Sequence, residues 1–151
     1  TAGAYVGDQE IELRAMSRLG ETFKENPVRI SVTSYNRQAL LTGQVPDEAT
    51  RTRAAEVVKG VPEVRAVLNE LAIAGVVSLT TQTNDATTTA NIKTRLLRDE
   101  RVSANNVKVV TEAGVAYLMG LVTAAEASAA TEITRNTAGV TKVVTLFEFI
   151  N

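Results

Sequence analysis

The sequence predicts an α+β protein built from two tandem α-β-β-α-β repeats, each a three-stranded mixed sheet covered by two helices. Three observations predict it. The chain repeats itself: shifted by 77 positions, Ile30 falls on Val107, Val32 on Val109, Leu41 on Leu118, Gly43 on Gly120 and Val45 on Val122. Self-similarity at a fixed period marks a duplicated structural unit. Within each copy the apolar period runs from helical to alternating and back, and a glycine follows the second helix in both.

The first helix of copy one is read from Ile11, Ala15, Met16, Leu19 and Phe23, which recur at spacings of three and four and predict a buried stripe. In copy two, Ile92 and Leu96 take the places of Ala15 and Leu19, with Thr89 one turn earlier. Asp8 and Asn84-Asp85 stand where N-caps belong, with side-chain oxygens able to accept the first free amides.

Alternation follows, Ile30/Val32/Ser34 and Val107/Val109/Thr111, as in strands with one buried face. Turns at Asn36-Arg37-Gln38 and Glu112-Ala113-Gly114 lead into a second apolar strand, so each pair reads as a hairpin. Gly43 and Gly120 fall inside that second strand, where glycine normally weakens the ladder; the expectation is close approach of a helix backbone.

A second, Ala-rich helix runs from Asp47 to about Lys59 and from Ala124 to about Asn136. Gly60-Val61 and Gly139-Val140 then correspond, with two further residues inserted in copy two, and both glycines are expected to end a helix at positive φ. A last strand closes each copy, Val64 to Ile73 and Lys142 to Ile150. The domains expected are therefore 8–73 and 84–151, joined by an uncharged link over 74–83.

Composition excludes several function classes. With no His and no Cys, the chain holds no His-based triad, no thiol nucleophile and no His/Cys metal site, and no metal or cofactor is expected. Sixteen Lys+Arg against seventeen Asp+Glu leave no positive excess for wrapping nucleic acid. The carboxylate pairs Asp47-Glu48 and Asp99-Glu100 are adjacent and so point to different sides of a helix, which gives general acid–base catalysis no geometry. The chain reads as a non-enzyme.

Certain stretches carry a resemblance: L-L-T-G-Q-V (40–45), N-V-K-V-V-T-E (106–112), Y-L-M-G-L-V-T (117–123) and F-E-F-I (147–150). With the element order occurring twice, the sequence from about 8 to 150 resembles the BON domain (bacterial OsmY and nodulation) in tandem, in the manner of the dual-BON outer-membrane lipoproteins. That resemblance implies a non-enzymatic protein that supports envelope integrity and sits as a lipoprotein at the periplasmic face of the outer membrane. It also implies contact with anionic phospholipid through the second repeat, and an envelope protein as a possible partner. The anchoring Cys is absent here, so it is expected before Thr1.

The first helix of copy two is where such contact is expected. At 100° per residue, Ile92 and Leu96 define the core direction, and Leu97 falls about 140° from Ile92. Thr87, Ala90, Thr94, Arg98 and Arg101 fall on the same outward side, so Leu97 is expected to project between Arg98 and Arg101. An exposed leucine flanked by guanidinium groups suits a headgroup layer. The matching helix of copy one carries Asp8, Glu10, Glu12, Glu21 and Glu25 and is the acidic one. The alternative reading is a soluble periplasmic chaperone or protein–protein adaptor.

Overall fold

The computed structural model describes residues 2–73 and 79–150. It divides into two compact units, Thr1–Val76 and Val77–Asn151. Repeat one runs α1 (Ala2–Thr22), β1 (Arg29–Tyr35), β2 (Gln38–Val45), α2 (Glu48–Lys59), β3 (Ala66–Asn69) and β4 (Ala72–Ile73). Repeat two runs α3 (Leu79–Arg98), a 3-10 turn at Ala104–Asn106, β5 (Val107–Glu112), β6 (Val115–Val122), α4 (Ala124–Arg135) and β7 (Lys142–Phe149). The α-β-β-α-β order is present twice.

Both sheets are mixed. The hairpin β1–β2 is antiparallel, Arg29 facing Gln44 through Tyr35 facing Gln38, while β3 and β4 run parallel to β2. In repeat two β5–β6 is antiparallel and β7 runs parallel to β6, from Val115 opposite Lys142 to Val122 opposite Phe149. The expected single strand over 64–73 is thus two pieces, interrupted at Glu70-Leu71. The parallel return requires a crossover, which α2 and α4 supply.

Each unit has its own core. In repeat one Ile11, Ala15 and Leu19 of α1 meet Val32, Leu41 and Val45 of the sheet and Ala54 and Val58 of α2. In repeat two Ile92 and Leu96 meet Val109, Leu118, Ala130 and Ile133. Met16, expected in the stripe, is exposed: the buried line is Asp8, Ile11, Ala15, Leu19, and Met16 falls one residue to its side.

Asp8 and Asp85 are not N-caps. Both lie inside helices, because α1 begins at Ala2 and α3 at Leu79, so 79–83 of the expected link is helical. Residues 74–78 of that link lie outside the described residues. Each aspartate instead turns inward to a hairpin tip. Asp8 accepts hydrogen bonds from the Asn36 N–H (2.8 Å), the Arg37 N–H (2.7 Å) and the Ser34 hydroxyl (2.7 Å). Asp85 accepts from the N–H groups of Ala113 (2.7 Å) and Gly114 (2.9 Å).

Those turns need the help. Asn36 and Arg37, like Ala113 and Gly114, all have positive φ, as two-residue hairpin loops demand, and three of the four are not glycine.

The glycines also divide differently from expectation. A Cβ on Gly43 would collide with the Arg29 carbonyl at the start of β1, and one on Gly120 with that of Asn106, the last residue of the 3-10 turn that leads into β5; the close neighbour is the backbone where the partner strand begins and not a packed α-helix. Gly60 ends α2 in the right-handed region, φ −79°, so no positive φ is involved. The equivalence of Gly60 with Gly139 also fails. N-cap Asp47 matches N-cap Thr123, and Gly60 matches Asn136 as the residue after each helix, a shift of 76 once Pro46 has no counterpart. Gly139 then matches Glu63, and both have positive φ (96° and 77°). There a Cβ on Gly139 would strike the Thr88 hydroxyl, so glycine is required by α3's approach.

Candidate lipid-contact helix

The helix α3 is amphipathic in an unusual sense: its buried line is half polar. Asp85, Thr88, Ile92 and Leu96 are all buried, at the spacing of three and four that turns one face to the sheet. Asp85 fixes the hairpin, and the Thr89 hydroxyl donates to the Thr111 hydroxyl at 2.7 Å. Arg95 is spent on structure as well. Its guanidinium donates to the carbonyls of Asn136 (2.7 Å) and Ile133 (3.3 Å) and to the Thr137 hydroxyl (3.0 Å), closing the C-terminal end of α4. In repeat one Arg18 does the same to the Gly60 carbonyl at 2.9 Å. Cations belong at that end of a helix, where carbonyls lack partners.

What remains faces outward. Thr87, Ala90, Thr94, Leu97 and Arg98 are all exposed. Leu97 is 71% exposed, so its apolar side chain is left to solvent or to something that replaces solvent. The Thr94 hydroxyl is satisfied within the helix, donating to the Ala90 carbonyl at 2.9 Å, which leaves the strip beside Leu97 short and undemanding. Arg98 has no hydrogen-bond or ion-pair partner among the described residues.

Arg101 stands elsewhere. Because α3 ends at Arg98, the helical angle assigned to it does not hold. Its Nε and Nη2 donate to Asp99 at 3.0 and 2.9 Å, and Nη1 meets Glu132 at 3.5 Å. These hydrogen bonds draw the Asp99 carboxyl down to about 2 and push the Arg101 guanidinium further up. Its charge is therefore answered within the protein.

The second cation beside Leu97 is Lys93. It lies one turn before Leu97, is exposed, has no partner among the described residues, and lines with Leu97 a shallow recess that includes Ala104 and Asn105. Its i,i+4 relation to Leu97 was the available signal. The counterparts in repeat one, at a shift of 77, are Met16 for Lys93 and Gly20 for Leu97. There α1 exposes Leu13 (73%) and Met16 (45%) instead, beside Gln9, Glu12, Ser31 and Val32, with no free cation among them.

Among the described residues no group of three acidic side chains is placed to hold a metal ion, and no helix is long and apolar enough to cross a membrane.

Comparison with known proteins identifies the family. The BON domain family matches residues 7–75 and again 84–151. The outer membrane lipoprotein DolP of Haemophilus influenzae is 32% identical over 152 residues, covering all of this chain and 79% of that protein. The 21 kDa hemolysin of Actinobacillus pleuropneumoniae is 32% identical over 99% of this chain and 78% of its own length. The osmotically-inducible protein Y of Escherichia coli K12 is 32% identical over 80% of this chain and 61% of its own. With two family matches filling both units, the chain belongs to the BON-domain family, as a non-enzymatic, envelope-associated protein of the dual-BON, DolP type.

Proposed function

We propose that this protein serves envelope integrity at the periplasmic face of the outer membrane, and that α3 makes its contact with anionic phospholipid. Leu97 enters the headgroup layer while Lys93 and Arg98 meet phosphates; Thr87, Ala90 and Thr94 extend the same face as small residues that do not hold the helix away from the surface. The observation that carries this reading is an exposed leucine with two cations on the same helix, one turn before it and one residue after it, neither paired among the described residues.

The magnitudes suit a reversible contact. Each cation near an anionic surface contributes about 1 kcal/mol. Inserting one leucine adds about 1.5 kcal/mol. Firm attachment takes a second signal, and a lipid anchor of the kind named for the Haemophilus relative would supply it. The acidic α1, with Glu10 occupied by Arg14 and no free cation beside Leu13 and Met16 among the described residues, does not suit the same surface.

Co-sedimentation with vesicles tests the reading. Binding to phosphatidylglycerol vesicles that falls as salt rises, with none to phosphatidylcholine, is expected, because screening weakens exposed charge contacts. Equal binding to both lipids, or to neither, would reject it.

A further inference from the structure

The two repeats treat their outer parallel strand differently. In repeat one the edge is plugged: Arg51 of α2 donates from Nη2 to the Asn69 carbonyl at 2.9 Å and from Nε to the Leu71 carbonyl at 3.0 Å, and Asn69 donates back to the Arg51 carbonyl at 3.1 Å. Those two carbonyls point away from the sheet, because Glu70 between them spends its N–H on Leu41 of β2. Capping an edge in this way prevents another strand from adding to it.

Repeat two lacks the plug. Leu41 faces Asn69 and Leu118 faces Thr145, so Thr145 and Phe147 match Asn69 and Leu71. At the shift of 76 that relates α2 to α4, Arg51 is replaced by Ala127 and its neighbour Glu48 by Ala124. Between α4 and β7 lies an open groove of about 630 Å³, lined by both alanines, Ser128, Thr145, Phe147 and Phe149, and Phe149 is 66% exposed. The Ile150 N–H reaches Val122, so even-numbered residues of β7 face β6 and Val143, Thr145 and Phe147 turn their backbone groups outward.

We propose that β7 is an interaction edge and that its occupant is β7 of a second copy of this chain, added antiparallel about a twofold axis at Thr145. The strand is complementary to itself in that register. Thr145 meets Thr145, Val143 meets Phe147, Val144 meets Leu146, and Lys142 of one copy comes opposite Glu148 of the other. The parity agrees as well: the residues with outward backbone groups pair with each other and exchange hydrogen bonds, and Lys142 and Glu148 form the closer, non-hydrogen-bonded pair. Isologous pairing of this kind closes at two copies, since it uses the β7 edge of both. An eight-residue strand buries modest area, so association is weak and depends on concentration.

Sedimentation velocity of the full chain, from micromolar to submillimolar concentration, tests this. The expected result is a shift from the 16.1 kDa monomer toward twice that mass as concentration rises. Ala127→Arg, which transplants the plug of repeat one, should leave only monomer. Lys142→Glu sets like charges opposite each other twice per dimer and should weaken it about tenfold. The double change Lys142→Glu with Glu148→Lys restores the complementarity and should restore the dimer. Circular dichroism checks that each variant folds; if Ala127→Arg does not, the charge pair decides. Monomer at every concentration, or a dimer indifferent to the variants that fold, overturns the proposal.

Discussion

The Asp85 carboxylate accepts a hydrogen bond from the Ala113 N–H at 2.7 Å, tying the middle of α3 to the tip of the β5–β6 hairpin. Asp8 does the same for the other repeat, 77 residues earlier, and both carboxylates are buried. A helix that carries an outward face is thereby held in fixed rotation on its sheet, and which residues it presents is decided from the buried side.

Removing that carboxylate should be costly. Asp85→Ala leaves the amides of Ala113 and Gly114 without their acceptor, and unfolding in denaturant should show a loss of about 2–3 kcal/mol. Asp85→Asn keeps one acceptor oxygen and should lose roughly half as much. A change no larger than that of an ordinary surface substitution would mean that water serves those amides equally well.

The glycines offer a contrast within one family of substitutions. Gly43→Ala and Gly120→Ala each drive a methyl group into a backbone carbonyl that cannot move without breaking the hairpin, and each should cost about 2–3 kcal/mol. Gly60→Ala meets nothing closer than 3.5 Å at an ordinary helical φ, and should be neutral or stabilising by up to about 1 kcal/mol. Thermal melts of the three variants check the pair of expectations, and a Gly60→Ala protein as damaged as Gly120→Ala would contradict them.

This contrast also shows where the sequence was legible. Period and alternation reveal the elements because burial on one face imposes them, and Ile11, Ala15, Leu19, Ile92 and Leu96 are buried as their spacing implies. Asp8 and Asp85 were misplaced because an aspartate before an apolar stripe looks the same whether it caps its own helix or a distant turn; the partner 28 residues on decides, and spacing carries no record of it. Gly60 was misread for a similar reason: Val61 and Val140 each follow a glycine, and that likeness hid the match between Gly139 and Glu63. On the candidate face, Leu97 and Arg98 could be placed by angle because they lie within α3, whereas Arg101 lies past its end.

The pairing of Arg101 leads to a gain-of-binding expectation. Asp99→Asn removes a negative charge beside Leu97 and loosens the guanidinium, leaving it one neutral amide oxygen and Glu132 at 3.5 Å as its remaining ionic partner. Affinity for phosphatidylglycerol vesicles should rise about threefold to fivefold, in keeping with about 1 kcal/mol for one more basic group near the surface. Vesicle co-sedimentation reads this, and weaker binding would mean that Arg101 serves by holding the turn.

Binding should be flat between pH 6 and 8, on the order of one unit around neutrality where only histidine ordinarily titrates. The chain has no His. Asp99, drawn below its usual 3.8 to about 2, contributes its pairing above the usual value and loses it only as pH falls through about 2. Arg101, pushed up, stays charged throughout. A midpoint inside that range in a vesicle titration would point to a group outside the face described.

The most direct measurement is co-sedimentation of Leu97→Asp with phosphatidylglycerol vesicles, beside a denaturation curve for the same variant. Because Leu97 touches the core nowhere that would matter at 71% exposure, stability should hold while binding is lost. Unchanged binding by a folded Leu97→Asp protein would remove α3 as the membrane contact.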